Sequence, residues 1–290
     1  MRIWLAIAVP GLLFAAGLEW VATLGGHTQQ DRTGQITAVS LRASWVSDGD
    51  LLDLARMPQL QRLDLSRTRI TDQGLSYLKK ISTLREVNLS YAEKIGDPAH
   101  AIVKEWKQLV RLNLRGTVIA DETAAAAATL PNLEILDIAD TIVGDPGIEA
   151  LSGAPRLKEL SMGSIRMSEV GYQSLRQFTG LRLLDLSGNR PLSTPRLSAR
   201  AVEAIASLKQ LRVLKLGHLR FPAKSVPVLK SLENLERLEL EFCPEINDDA
   251  LPHLASWKSL RWVDLHGTKT TEKGIAALRE QRPDCKILWE

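Results

Sequence analysis

The chain repeats itself. From about residue 36 to its end the 290-residue sequence aligns with itself at 24 or 25 residues, in ten units beginning near residues 36, 61, 85, 110, 134, 158, 182, 212, 236 and 261. A unit of this length cannot bury its apolar face alone, so self-similarity at this period confines the chain to a stack of units around one continuous core. QRLDLSRTRITDQGLSYLKKISTL (61–84) is the clearest unit, and EILDIADTIVGDPGIEALSGAPRL (134–157) and RVLKLGHLRFPAKSVPVLKSLENL (212–235) keep its frame.

Each column of the alignment has a physical task. Val39, Leu63, Val87, Leu112 and Leu136 head their units, and Leu41, Leu65, Leu89, Leu114 and Ile138 follow two residues later. Apolar residues at spacing two share one face of a short strand. Three residues further on stands a mostly small column with Thr68, Thr117, Thr141, Thr268 and Cys243. Its hydroxyls suit the turn that leaves the strand, and Cys243 reads there as a packed structural thiol. The period then changes: Leu75 and Leu78, Ile148 and Leu151, and Ile275 and Leu278 lie three apart, as on one face of a helix. Thr71-Asp72, Asn247-Asp248 and Thr271-Glu272 suit helix starts. Each unit is therefore strand, turn, short helix, turn. The strands are expected to form a parallel inner sheet on the concave side, with helices outside.

LDLSRTRITDQGLSYL (63–78) and VDLHGTKTTEKGIAAL (263–278) resemble the leucine-rich-repeat family, and in particular its L-x-L-x-x-T/C-x-I-T-D-x-G-L class. That class is similar to the repeats of ribonuclease-inhibitor-like and F-box receptor proteins and of many exported bacterial proteins. The resemblance implies an α/β leucine-rich-repeat solenoid, a horseshoe of about ten strand-turn-helix units over residues 36–290, and a scaffold for protein recognition. No F-box-like helical domain stands before the repeats, which puts an adaptor role in ubiquitin ligation in doubt.

The rest of the sequence bounds the function. With 37 basic and 34 acidic residues the net charge is +3, without the clustered basic excess of a nucleic-acid binder, so no nucleic acid is expected as partner. The two cysteines, Cys243 and Cys285, form neither a metal knuckle nor a disulfide framework. The five histidines are scattered, and phosphate loops, nucleophile elbows and H-E-x-x-H are missing. Ser76-Tyr77-Leu78-Lys79 matches S-x-x-K but lies in an ordinary repeat helix without its partner motifs. No cofactor, metal or catalytic set is predicted, and a broad wet sheet suits a large partner better than a reaction.

Residues 3–18 carry no charge, Glu19 interrupts them, and apolar residues continue to Leu24 behind a lone Arg2. A helix over residues 3–24 spans roughly 33 Å at 1.5 Å per residue, against about 30 Å of hydrocarbon. Two export readings compete for residues 1–24, a cleaved signal peptide or an uncleaved membrane anchor, and a buried core helix is the third reading. Either export reading places the repeats outside the cytoplasm, secreted, periplasmic or membrane-tethered. Residues 25–35, polar and glycine-rich, read as a linker.

Two departures from the repeat and two inner-face groups are candidates for function. The seventh unit, 30 residues long, carries an insertion over 189–200 with Arg190, Arg196 and Arg200, either a basic lip for a partner or a tolerated loop. Residues 124–128 are alanines where leucines are usual, either a convex groove or a closely packed helix. On the inner face Arg237, Glu239, Glu241, Trp262, Asp264 and His266 share one region, and an aromatic among charges is the composition of an interaction hot spot. The alternative for Trp262 is a cap over the last unit. A polar row through Ser40, Asp64, Asn88, Asn113, Asp137, Ser161, Asp185, Lys215, Glu239 and Asp264 either attracts a basic partner or is merely solvated. The sequence thus predicts a non-catalytic protein-binding module whose partner it does not identify. A cell-envelope spacer without specific ligand is the alternative.

Overall fold

A computed structural model describes residues 19–188 and 196–290. Strand by strand, the alternating columns become β1 (His27–Gln30), β2 (Ile36–Ser40), β3 (Arg62–Asp64), β4 (Glu86–Asn88), β5 (Arg111–Asn113), β6 (Ile135–Asp137), β7 (Glu159–Ser161), β8 (Leu183–Asp185), β9 (Val213–Lys215), β10 (Arg237–Glu239), β11 (Trp262–Asp264) and β12 (Lys286–Leu288). They form one twelve-stranded sheet in sequence order. From β2 onward every pairing is parallel and in register, so that Val39 faces Leu63, Leu63 faces Val87, and Val87 faces Leu112. This column and its partner two residues on are almost wholly buried and run through the stack as one core.

The columns do what their chemistry suggests. Thr68, Thr117, Thr141 and Thr268 each donate a hydroxyl hydrogen bond to the carbonyl three residues back, at 2.6 to 2.7 Å. Cys243 instead donates its thiol to the Leu216 carbonyl of the preceding unit, and burial pushes that thiol up to about 12. Thr71, Asn247 and Thr271 cap their helices through side-chain oxygens. The polar inner row is structural: Asp64, Asn88, Asn113, Asp137, Asp185 and Asp264 each accept the amide two residues ahead, turning the chain off the strand. The alanine segment is a packed helix, Asp121–Ala128, with Ala124, Ala126 and Ala127 buried.

An aspartate ladder links neighbouring units. The carboxylate that opens one helix reaches the start of the next: Asp48 accepts from the Thr71 amide, Asp72 from Gly96, Asp97 from Ala120 and Thr123, Asp121 from Gly144 and Gly147, and Asp145 from Ser168. Amides that a short helix leaves unpaired thereby find acceptors, with negative charge at the positive helix end.

Both ends are closed. Residues 25–35, expected as a linker, contain β1, which pairs antiparallel with β2. All four β1 side chains are exposed, so no apolar alternation announces the strand. It is held by backbone pairing and by a turn in which Asp31 Oδ1 accepts from Thr33 and Gln35 amides and Gly34 takes φ +82°. It covers an edge that would otherwise template pairing with other chains. The membrane-directed helix expected over residues 3–24 is also redrawn at its end. Residues 1–18 lie outside the described residues, but Glu19–Thr23 is a helix whose Val21 is buried in the repeat core, with Trp20 and Leu24 packed beside it. Among the described residues no helix is long and apolar enough to cross a membrane. At the far end Lys286–Leu288 form β12, which pairs parallel with β11 and covers the edge of the sheet. Arg282, only 7% exposed, points its guanidinium at the carbonyls of Leu254, Trp257 and Leu260.

Candidate functional site

Across β9–β11 the concave sheet gathers charged and aromatic side chains. Parallel, in-register strands place Val213, Arg237 and Trp262 in one row and Lys215, Glu239 and Asp264 in the next. The Arg237 guanidinium lies over the Trp262 ring, 3.8 Å from its centre. Its Nε donates to Glu239 Oε1 at 2.7 Å, and Lys215 Nζ approaches Glu239 Oε2 at 3.6 Å. Glu239 is buried between two cations, so it orients them rather than offering itself to a partner. Trp262 is not the terminal cap, since β12 follows it and sets Lys286 opposite. A half-buried indole between two cationic side chains is the result.

Beside this row a second aromatic feature stands at the concave rim. Phe242, 46% exposed, has its ring stacked on His218 at 4.8 Å and edge-on to His266 at 5.0 Å. Its backbone is left-handed, φ 54°, and Gly267 in the following unit leaves room for the ring: a Cβ there would meet Phe242 Cδ1 at 2.5 Å. The turn position takes positive φ in nearly every unit, so a bulky residue there is held strained and pointed outward. Glu241 completes the patch. Burial, with Glu239, Asp264 and Asp185 nearby, raises its carboxyl to about 6, and its Oε2 is buried with no hydrogen-bond partner among the described residues.

The structure brings together six of the residues singled out in sequence: Arg237, Glu239, Glu241, Trp262, Asp264 and His266. Asp264 is occupied with the His266 amide. Arg196 stands elsewhere, on the edge where strands turn toward helices, and is paired with Glu245 at 3.2 Å, as is Arg220 at 3.3 Å. The expected basic lip is therefore partly neutralised there, because one carboxylate serves two arginines. Arg190 lies outside the described residues. The reading of the sequence did not place Phe242 or His218 in this patch. The available signal was Phe242 at a turn position that is Gly116 and Gly267 in other units.

A second concave hollow, about 410 Å³, lies at the other end, where His27 and Gln29 of β1 wall in Arg62, Glu86 and Arg111. Arg62 is tied back to Gln29 Oε1.

A family model described as Leucine Rich repeat matches residues 57–79 and 129–152. No curated protein matches the chain. Among solved structures, an internalin (inlF) from Listeria monocytogenes is similar over 98% of both chains, with TM-score 0.57 and 14% identity. The leucine-rich-repeat ectodomain of the Arabidopsis receptor kinase HAESA, solved with an N-terminal extended IDA peptide hormone ligand, is similar over 89% of this chain and 46% of its own, with TM-score 0.62 and 18% identity. At these identities the likeness is one of fold.

Proposed function

The chain is a leucine-rich-repeat protein, and we propose that it is a non-catalytic interaction module, carried outside the cytoplasm, that binds a protein partner on the concave sheet around Trp262. The observation that carries this is the Arg237–Trp262 pair. A guanidinium already stacked on an indole and braced by Glu239 loses little freedom on binding, which is what makes such a group an anchor. Phe242 between two histidines adds exposed apolar area beside it. That the HAESA ectodomain holds a peptide hormone supports a polypeptide as the class of partner. Export rests on the uncharged segment at residues 3–18.

The test is quantitative capture with the full chain, comparing wild type with Trp262→Ala, Arg237→Ala and, as control on the helical side, Val170→Ala. A partner held by wild type and the control but lost by both concave variants supports the reading. An identical captured set for all four proteins refutes it and leaves the spacer role.

A further inference from the structure

The edge where strands turn toward helices differs in kind from the concave face. There, the residue before the buried aliphatic of each turn projects outward, and the first six units stack Trp45, Arg69, Lys94, Val118, Ile142 and Arg166 in one row. Backbone links keep it aligned: Val118 N donates to Ile95 O at 3.0 Å and Ile142 N to Ile119 O at 3.2 Å. At about 4.8 Å per unit the row runs ~24 Å. Trp45 is 77% exposed, Ile142 67% and Val118 49%; with Tyr91 in the adjoining row, four of the eight large exposed apolar side chains among the described residues stand on this edge. Large apolar side chains gathered in contact with water mark an interaction surface.

The cations are placed among them. The Arg69 guanidinium lies 5.0 Å from the Trp45 ring centre, and that of Arg67 5.4 Å from Tyr91. Between these pairs is a hollow of about 590 Å³ bounded by Arg67, Arg69, Tyr91 and Lys94, with Glu93 its one carboxylate. Among the described residues Arg67, Arg69, Lys94 and Arg166 form no salt bridge, unlike Arg196 and Arg220 further along. The nearby aspartate ladder is turned into the following units, where amides hold it.

We propose that this edge docks on an anionic phospholipid surface, its cations taking headgroup phosphates while Trp45, Tyr91, Val118 and Ile142 enter the interfacial layer. Three features favour a bilayer over an acidic protein. A straight row of protruding tips fits a plane, whereas a protein would have to supply a matched pocket for each isolated tip. Aromatic rings beside arginine and lysine, with their apolar stems lowered and charged ends raised, are the composition that rests at headgroup level. The described chain begins at this end, with the Glu19–Thr23 helix packed on the first repeat, and the sequence before it is uncharged over residues 3–18. The surface is separate from the concave protein-binding face, and its test reads different residues.

Hydroxyl-radical footprinting of the full-length chain, in neutral detergent, in phosphatidylcholine vesicles and in phosphatidylcholine–phosphatidylglycerol vesicles, reads side-chain exposure directly. Insertion of residues 3–18 would act equally in both lipid mixtures, so their difference isolates the edge. The expected result is a several-fold fall in labelling of Trp45 and Tyr91 on anionic vesicles alone, with Phe242 unchanged, and its loss in Arg69→Glu/Lys94→Glu. Equal labelling of Trp45 on neutral and anionic vesicles, as for an edge that binds protein, or protection that survives the double charge reversal, overturns the proposal.

Discussion

The carboxylate of Asp145 enters the next repeat through the space that Gly171 leaves at the start of its helix. A Cβ at position 171 would overlap Asp145 Oδ1 and come within 3.0 Å of its Cγ. Through that space Asp145 accepts from the Ser168 amide at 2.9 Å and from the Ser168 hydroxyl. Asp48 and Gly74, Asp121 and Gly147, and Asp248 and Gly274 stand in the same relation. The D-x-G of Asp72-Gln73-Gly74 and of Asp145-Pro146-Gly147 is thus the trace of contacts between units, in which the aspartate serves the unit after it and the glycine admits the aspartate before it.

Gly171→Ala is therefore expected to destabilise the protein by about 2 kcal/mol, through overpacking and displacement of the cap. Asp145→Ala should cost about 1 kcal/mol for the lost cap. The two effects should not add. With the carboxylate gone, the remaining close neighbour of the new methyl is the flexible Met167 side chain, so the double variant should be little worse than Asp145→Ala. Urea denaturation of the four proteins checks this, and strict additivity would show that the aspartate and glycine act independently.

Why the sequence conveyed the stack so fully and its ends so poorly follows from the same physics. Leu63, Leu65 and Ile70 recur because each is buried identically in every unit, and a periodic burial pattern is visible in one dimension. β1 has exposed side chains and pairs through its backbone, which composition does not record. Val21 continues an apolar run that looks membrane-directed, and only the packed core shows where that run turns inward. At the site, Trp262 and its charged neighbours were legible because strand alternation puts them on one face. Phe242 was not, because its exposure depends on a left-handed turn and on a glycine 25 positions away.

Arg282 is a second feature hidden from periodicity. Its guanidinium satisfies carbonyls of Leu254, Trp257 and Leu260, at 3.3, 2.7 and 2.6 Å, while Asp284 holds it from outside. Arg282→Ala leaves these acceptors unpaired at the C-terminal end of the stack, a loss of about 3 kcal/mol. Lysine keeps the charge but not the planar fork, so Arg282→Lys should recover less than half of it. Hydrogen exchange should show the damage first in β12, and unchanged protection there would show that Ile287 alone seals the end.

Glu241 sets a pH dependence of unusual sign. Its carboxyl is raised by burial from 4.5 to about 6 in the folded protein, so the fold binds this proton more tightly than the unfolded chain does. Its contribution favours the fold below pH 4.5 and is lost as pH rises through 6. Since the side chain is only half-buried, solvent screening reduces the effect to about 1 kcal/mol. Glu241→Gln keeps the shape over Gly217 and removes the charge. It should stabilise the protein at pH 8 and leave it unchanged at pH 4, measured as thermal midpoints across that range. A gain equal at both pH values would assign the effect to hydrogen bonding by the amide.

The N-terminal cap constrains processing. Val21 is 1% exposed, and Trp20 and Leu24 pack against the same core, while the Gly26 amide donates to the Val21 carbonyl at 2.8 Å. Cleavage at 23–27, where the hydrophobic run ends in the sequence, would strip these side chains from the first repeat and cost about 3 kcal/mol. The sequence before Gly25 holds no clear A-x-A site; Ala15 and Gly17 are small residues two apart, and a cut after Gly17 would leave the cap whole. Intact-mass measurement is expected to find a mature chain beginning at residue 18, or an uncut chain, and none beginning at 23–27. Recombinant chains starting at 18 and at 25 test the cause: the first should match the full chain in denaturant midpoint, and the second should lose stability and exchange β1 and β2 amides rapidly. Equal stability of the two would mean that the buried Val21 is dispensable and that processing is free to fall anywhere before β1.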